Sequence, residues 1–431
     1  MVQTEQLYLF PVERSKKPLR NTTTFVDNMK LPVHRWFRYS AGFSAEWAKS
    51  LIAETIAKNP YTKVLDPFAG SGTTLLAAQD MGVASYGVES HPFIARVAKA
   101  KLARRSDPEA YHDFALAVLE QGRSMTGDRS GSYGKLIHKC YSDDALRDLD
   151  RIRTAYEKAK DASAASELTW LTLLGILRKC SHVGTANWQY VLPNKKKRGA
   201  RWPFDAFEEQ IEIVYSDMRS SQEVPDTAAH LLESDARTCD GVASGFANLV
   251  ITSPPYPNNY DYADATRLEM TFMGEIEGWS DLHSAVRRHL IVSCSQHVPE
   301  KAVDLHGILG TTELEAIREE IADVCKELAE VRLTKGGKKT YHLMVACYFR
   351  DIANVWKSLR RVCDSPSTVC FVIGDSAPYG VYVPVMDWME RLAMAAGFRT
   401  ARFEKLRDRN TKWKNRKHRV PLVEGRLWVE G

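Results

Sequence analysis

The chain has 431 residues, 44% of them hydrophobic and 26% charged, and a formal net charge of +5. Those values suit one large domain with insertions, or two domains, and exclude general disorder. No window approaches the roughly 18 apolar residues of a membrane span, and the opening MVQTEQLYLFPVERSKK lacks the pattern of a signal peptide.

Residues 1–30 read as an extended arm. Between Leu31 and Lys58, Phe43, Trp47, Leu51, Ile52 and Ile56 recur at helical spacing, with Ser44 as the N-cap. Val64 and Leu65 then end a buried strand, a glycine loop comes next, a helix runs from Leu75 to Met81, and a second strand ends at Glu89. This is one βαβ unit. Residues 106–230 carry helical periodicity with charged faces and little strand signal, including a helix around Leu168 to Cys180 and the irregular basic-aromatic patch KKKRGARW, Lys195 to Trp202. Strand character resumes in FANLVITSPPY and ends at two prolines. A second, mixed insertion covers 263–339. After it come a long helix from His342 to Val362, the buried strand STVCFVIGD, and the helix PVMDWMERLAMAAGF closed by Gly397. Two last strands, FRTARFEKL and VPLVEGRLWVE, flank a basic loop, and Arg399 to Arg419 holds ten Lys and Arg against two acids. The eight cysteines (Cys140, Cys180, Cys239, Cys294, Cys325, Cys347, Cys363, Cys370) form no Cys-x-x-Cys pair and no zinc spacing. They predict reduced core thiols, a cytoplasmic protein and no metal site.

Two motifs carry chemistry. In Asp66-Pro67-Phe68-Ala69-Gly70-Ser71-Gly72-Thr73-Thr74 a strand delivers its carboxyl end to a glycine turn that opens a helix. Such a turn lets the backbone approach a ligand, and the helix N-terminus attracts a carboxylate or phosphate. Gly72 is followed by Thr where a nucleotide P-loop needs Lys, and Leu75 stands where a dinucleotide fingerprint needs its third Gly. The turn therefore suits the methionine end of S-adenosylmethionine. Glu89 is placed to accept the ribose hydroxyls of that cofactor, and Asp235 to accept from its adenine amine. The second motif is Thr252-Ser253-Pro254-Pro255-Tyr256. An exocyclic base amine is a poor nucleophile because its lone pair is delocalised into the ring. A Ser side chain and a carbonyl in a proline-stiffened turn can accept the two amino hydrogens, and Tyr256 can stack on a base taken out of the helix.

Together these residues resemble the DNA amino-methyltransferases, which act on cytosine N4 or adenine N6. DPFAGSGTT is similar to that family's cofactor loop and TSPPY to its catalytic tetrapeptide. PNNYDYADATRLEMTFMG is similar to the family's segment just after the tetrapeptide, and RWFRYSAGFSAEW to the cofactor-side segment that precedes the glycine loop. The resemblance covers roughly 1–105 and 231–431. It implies an α/β fold, a Rossmann-like class I methyltransferase with a mostly parallel, doubly wound sheet and a helical insertion. Its parts are an arm and cofactor half at 1–105, a helical insertion at 106–230, the catalytic-loop segment at 231–262, a second insertion at 263–339 and the rest of the catalytic sheet at 340–431. Either insertion is a candidate for target recognition. The cofactor implied is S-adenosylmethionine, held by Asp66, Pro67, Phe68, Gly70, Gly72, Thr73, Thr74, Glu89 and Asp235. The catalytic set is Ser253, Pro254, Pro255 and Tyr256. Ser253 in place of Asp or Asn points to cytosine N4.

The partner implied is double-stranded DNA with a flipped base, in a restriction-modification system with a companion endonuclease. If FRTARFEKL runs parallel to the other strands, its following loop emerges at the active-site edge. Arg407, Arg409, Lys412, Lys414, Arg416, Lys417 and Arg419 are then expected on phosphates, with Trp413 stacking or wedging. The competing readings are adenine N6 methylation, guanine N2 methylation of RNA, a catalytically inactive nucleic-acid-binding subunit, and a fused nuclease within the insertions.

Overall fold

The computed structural model describes residues 25–39, 42–186, 189–258, 260–298, 303–409 and 420–431. Seven strands form the central sheet: β1 (Val64–Asp66), β2 (Ser85–Val88), β5 (Ala229–Leu232), β6 (Ala247–Thr252), β7 (Cys363–Gly374), β8 (Thr400–Arg409) and β9 (Leu422–Glu430). Their order is β5-β2-β1-β6-β7-β9-β8. The first five pair in parallel, while β9 runs antiparallel to both β7 and β8. β8 therefore points the same way as β1, β6 and β7, and its Arg409 end lies at the carboxyl edge where the motif loops emerge. The α/β, Rossmann-like, mostly parallel architecture implied by the sequence is the one observed.

Helices cover the sheet. α1 (Ala45–Lys58) starts at the expected cap, where the Ser44 side chain accepts from the Trp47 amide at 3.3 Å. α2 (Thr73–Asp80) and α3 (Pro92–Leu102) flank β2. Then come α4 (Pro108–Ser124), α5 (Lys135–Cys140), α6 (Asp143–Ala159), α7 (Ala164–Cys180) and α8 (Pro203–Ser221), which pack with α3 around their own apolar core. α7 is buried on nearly all sides, as a helix apolar around its whole circumference must be. Asp217 on α8 gathers the segment before α1, accepting from the Val33 amide, Trp36 Nε1 and the Arg35 guanidinium.

The stretch 106–230 is less purely helical than its periodicity suggests. Val183–Thr185 (β3) and Val191–Lys196 (β4) form a separate antiparallel hairpin, and Ala229 opens the edge strand β5. β5 is half-exposed along its four residues, so it shows no clean apolar run. The stretch 263–339, expected to be mixed, is helical or irregular among its described residues: α9 (Tyr262–Ala265), α10 (Arg267–Met273), α11 (Leu282–Ala285), α12 (Leu305–Leu309) and α13 (Arg318–Arg332). α14 (Tyr341–Val362) and α15 (Val385–Ala395) cover the β6–β7–β9 face through Trp356, Phe371, Trp388 and Leu427. Gly397, at φ 99°, closes α15. All eight cysteines are buried and unbridged. Among the described residues no helix is long and apolar enough to cross a membrane.

One buried ion pair ties the helical insertion to the catalytic half. Arg178 on α7 donates to both oxygens of Glu269 on α10, at 2.5 and 3.0 Å, and also to the carbonyls of Ala265 and Gln189. Glu269 is 1% exposed. Removing one partner of such a pair strands a charge away from water. Glu269→Ala is expected to destabilise the protein by about 3–5 kcal/mol, read as a lowered urea midpoint.

Candidate active site

β1 and β6 are neighbours, so the two motif loops leave the sheet side by side. Asp66, at the end of β1, is 1% exposed and joins them. One of its oxygens accepts from Thr252 Oγ1 at 2.6 Å and from the Phe68 amide at 3.0 Å; the other accepts from Thr74 Oγ1 at 2.6 Å. Burial pushes its pKa up to about 6, against the pull of those hydrogen bonds. Asp66 thus holds the glycine turn to the end of β6.

The turn itself needs its glycines. Gly70 sits at φ 53°, and Gly72, the residue before α2, at φ 88°. A Cβ on Gly72 would lie 3.5 Å from that of Ala98, and the left-handed conformation would be strained for any side chain. Thr73 begins α2, Pro67 is buried, and Phe68 packs partly against the core. Glu89 comes directly after β2. Its oxygens accept from the Gly70 amide at 2.8 Å and the His91 amide at 2.7 Å. Burial raises its pKa to about 7, opposed by those amides and helped by the nearby Asp66 charge. Each oxygen keeps a lone pair for a further donor. Tyr39, from the RWFRYS segment, is buried in the field of Glu89, which puts that segment on the cofactor side.

This donor set suits S-adenosylmethionine. The open α2 terminus offers amides to an amino-acid carboxylate, the glycine turn leaves room for close approach, and Glu89 offers oxygens to ribose hydroxyls. Asp235 lies three residues beyond β5, and its carboxylate is held by Arg237, with three contacts between 2.6 and 3.0 Å to the guanidinium.

The catalytic loop is pinned by hydroxyls. Ser253 Oγ donates to the Val372 carbonyl of β7 at 3.1 Å. Its hydrogen is thereby engaged; the oxygen also meets the Tyr256 side chain in a hydrogen bond, and it keeps acceptor capacity for one further donor. Tyr348 on α14 donates to the Pro255 carbonyl at 2.9 Å, Ser376 to the Pro257 carbonyl at 2.5 Å, and the Asn258 amide to the Tyr256 carbonyl at 2.7 Å. With these neighbouring carbonyls paired, that of Pro254 has no partner among the described residues. Pro254 is buried, and Tyr256 is half-buried with its pKa raised by burial and by the Glu424 charge, against the pull of Arg409.

Arg409, at the end of β8, lies 5.3 Å from the Tyr256 ring centroid and donates to the Asp375 carbonyl at 2.7 Å. A Cβ at Gly374 would come within 2.7 Å of its Nη1. Arg407 pairs with buried Glu424 at 2.6 Å. The basic loop therefore does leave from the active-site edge, but Lys412, Trp413, Lys414, Arg416, Lys417 and Arg419 lie outside the described residues. Sequence reasoning missed Tyr348, Ser376 and the Arg409–Tyr256 contact. The hydroxyl of Thr252, the first residue of the motif, was the one signal within reach.

A mostly parallel sheet with one reversed strand, carrying a glycine turn with an acid after the next strand and a proline-stiffened acceptor loop beside it, defines a Rossmann-like methyltransferase. The comparisons agree. An N6/N4 methyltransferase family model, described as a DNA methylase, matches residues 5–100. The chain is 24% identical over 450 residues to Type II methyltransferase M.BsoBI of Geobacillus stearothermophilus, covering 95% of this chain and 87% of the relative. It is 25% identical over 413 residues to Type II methyltransferase M.AvaI of Nostoc sp., covering 88% and 82%. Over 95 residues it is 30% identical to Type II methyltransferase M.MjaII of Methanocaldococcus jannaschii, covering 22% of this chain and 16% of that one. No solved structure matches significantly. The chain is thus similar to the DNA amino-methyltransferases through residues 5–100 and to Type II methyltransferases over most of its length, a similarity that implies S-adenosylmethionine as methyl donor.

Proposed function

We propose that the protein methylates the N4 amine of cytosine in double-stranded DNA at a specific sequence, as the cytoplasmic modification enzyme of a restriction-modification system with a companion endonuclease. The observation that carries the chemistry is the pair of acceptors on the catalytic loop: Ser253 Oγ, its hydrogen engaged by Val372, and the Pro254 carbonyl, which has no partner among the described residues. Two acceptors match the two hydrogens of an exocyclic amine. Holding both lets the nitrogen lone pair localise, and Tyr256 stacks on the extruded base. Cytosine is favoured over adenine because Ser253 stands where the family's adenine enzymes tend to carry Asp or Asn. The Type II relatives support a site-specific modifying role.

Asp66, Pro67, Phe68, Gly70, Gly72, Thr73, Thr74 and Glu89 hold the cofactor in this reading, with Asp235 near its adenine. When bound, the cofactor supplies an electrophilic methyl group on a sulfonium centre. The residues of this chain contribute mainly by positioning, bringing an oriented amine up to that centre.

The test is expression in cells that lack other DNA methylation, followed by mass spectrometry of digested genomic DNA. N4-methylcytosine is expected from the wild type and absent with Ser253→Ala or Tyr256→Ala. N6-methyladenine would overturn the cytosine assignment, and neither mark from a folded protein that binds S-adenosylmethionine would overturn the DNA reading.

A further inference from the structure

The β3–β4 hairpin is outside the central sheet, yet its turn end is bolted to both halves of the active site. Tyr190, just before β4, accepts at its hydroxyl from the Asp261 amide at 2.7 Å, and its ring lies 5.6 Å from that of Tyr260. Both partners belong to the segment that continues from the catalytic loop. The neighbouring Gln189 donates to the Arg38 carbonyl at 2.6 Å, in the segment leading to the cofactor turn, and Arg178 donates to the Gln189 carbonyl at 2.7 Å. The turn end of the hairpin is therefore fixed relative to the reacting centre.

Its other end has the opposite character. Lys195, Lys196, Lys197, Arg198 and Arg201 are all exposed, and Trp202 beside them is 61% exposed. From Val183 to Phe204 there is no Asp or Glu. Among the described residues only Arg201 of this group finds a carboxylate, that of Glu209, while the Lys197 amine turns to the Arg178 carbonyl. Lys195, Lys196 and Arg198 hold their charge in water without an ion-pair partner among the described residues. Tyr190 faces Ala186 and Lys196 pairs with Val183, three residues along the partner strand, with a bulge in β4 between them, so at about 3.3 Å per residue Lys196 stands on the order of 10 Å from Tyr190. At about 3.4 Å of helix axis per base pair, that span corresponds to roughly three base pairs.

Resting on the reading of the enzyme as a DNA methyltransferase, we propose that the β3–β4 hairpin is a duplex-binding arm, with Tyr190 at the methylation site and Lys195, Lys196 and Arg198 on backbone phosphates roughly three base pairs away. The hairpin thereby fixes the distance between the flipped base and a flanking stretch of duplex. Its basic end positions the substrate and touches no reacting atom.

The experiment compares wild type with the triple variant Lys195→Glu, Lys196→Glu, Arg198→Glu in titrations of a duplex substrate across a salt series. Each lost phosphate contact lowers the slope of log affinity against log salt by about 0.9. The triple variant is expected to show a slope shallower by about 2–3 and weaker binding at low salt. Its kcat at saturating DNA and its S-adenosylmethionine affinity should stay within two-fold of wild type. A wild type that binds and methylates DNA beside a variant with an unchanged slope overturns the arm alone. A wild type with no salt-dependent DNA binding overturns the DNA methyltransferase reading and the arm with it.

Discussion

Replacing Ser253 with alanine lowers kcat for methyl transfer by about 10²–10³-fold, the loss typical of removing one preorganised polar group that acts in the transition state. S-adenosylmethionine and DNA still bind with nearly wild-type affinity. The expectation rests on the role of the Ser253 hydroxyl. Its hydrogen goes to the Val372 carbonyl and its oxygen also meets the Tyr256 side chain, so what it offers the base is a remaining lone pair, and alanine removes that acceptor without adding a donor. An amine hydrogen that loses this acceptor leaves the nitrogen lone pair in the ring, which raises the barrier but barely alters ground-state binding. Equal falls in kcat and kcat/KM are the signature of an interaction made only in the transition state. Folding contributes little, because the Val372 carbonyl loses a single hydrogen bond, worth about 1 kcal/mol. Single-turnover transfer of labelled methyl, alongside equilibrium binding of both ligands, separates these terms. Unchanged single-turnover rates would remove Ser253 from the chemistry.

The chain disclosed the local geometry confined to short windows. Ser44 before an amphipathic run, the glycine string from Asp66 to Thr74, and an apolar strand ended by Pro254 and Pro255 each have a local physical reason, and each sits where that reason places it. The direction of β8 was also legible as a condition on where the basic loop emerges, although it arises through the intervening reversed strand β9. The features that remained hidden join residues far apart in the chain. Tyr348 reaches Pro255 across 93 positions, and Asp217 gathers Val33, Arg35 and Trp36 across more than 180. Nothing in the local pattern of α14 distinguishes the Tyr348 hydroxyl from an ordinary buried tyrosine. β5 was hidden for a different reason. An edge strand of four half-exposed residues has neither the alternation of a surface strand nor the unbroken apolar run of a central one.

Glu89→Gln is expected to weaken S-adenosylmethionine binding by about 10²-fold and to change how stability depends on pH. The binding loss comes from replacing charge-assisted acceptors, which contribute about 1.5–3 kcal/mol each, with an amide that has one acceptor oxygen. That oxygen can serve either the Gly70 or the His91 amide but not both, and the new NH2 faces the other donor. At low pH the variant is therefore the less stable protein.

The pH dependence runs the other way. In the folded protein Glu89 has its pKa raised from the ordinary 4.5 to about 7, chiefly by burial. A carboxyl group that binds its proton more tightly when folded contributes stability fully below its unfolded pKa, and that contribution is lost as pH rises through the folded value. The loss, between pH 4.5 and just above 7, amounts to about 3 kcal/mol. Glutamine does not titrate, so the stability gap between wild type and variant should narrow by about that amount from pH 5 to pH 8. Urea unfolding of both proteins at several pH values measures the gap, and calorimetric titration measures the cofactor affinity. Parallel stability profiles would show that Glu89 is not a buried, strained carboxylate, whereas a narrowing gap with intact affinity would remove it from the cofactor site. Both effects together would mean that the unliganded protein keeps a buried acid whose ionisation costs it stability, because the ribose hydroxyls need its oxygens.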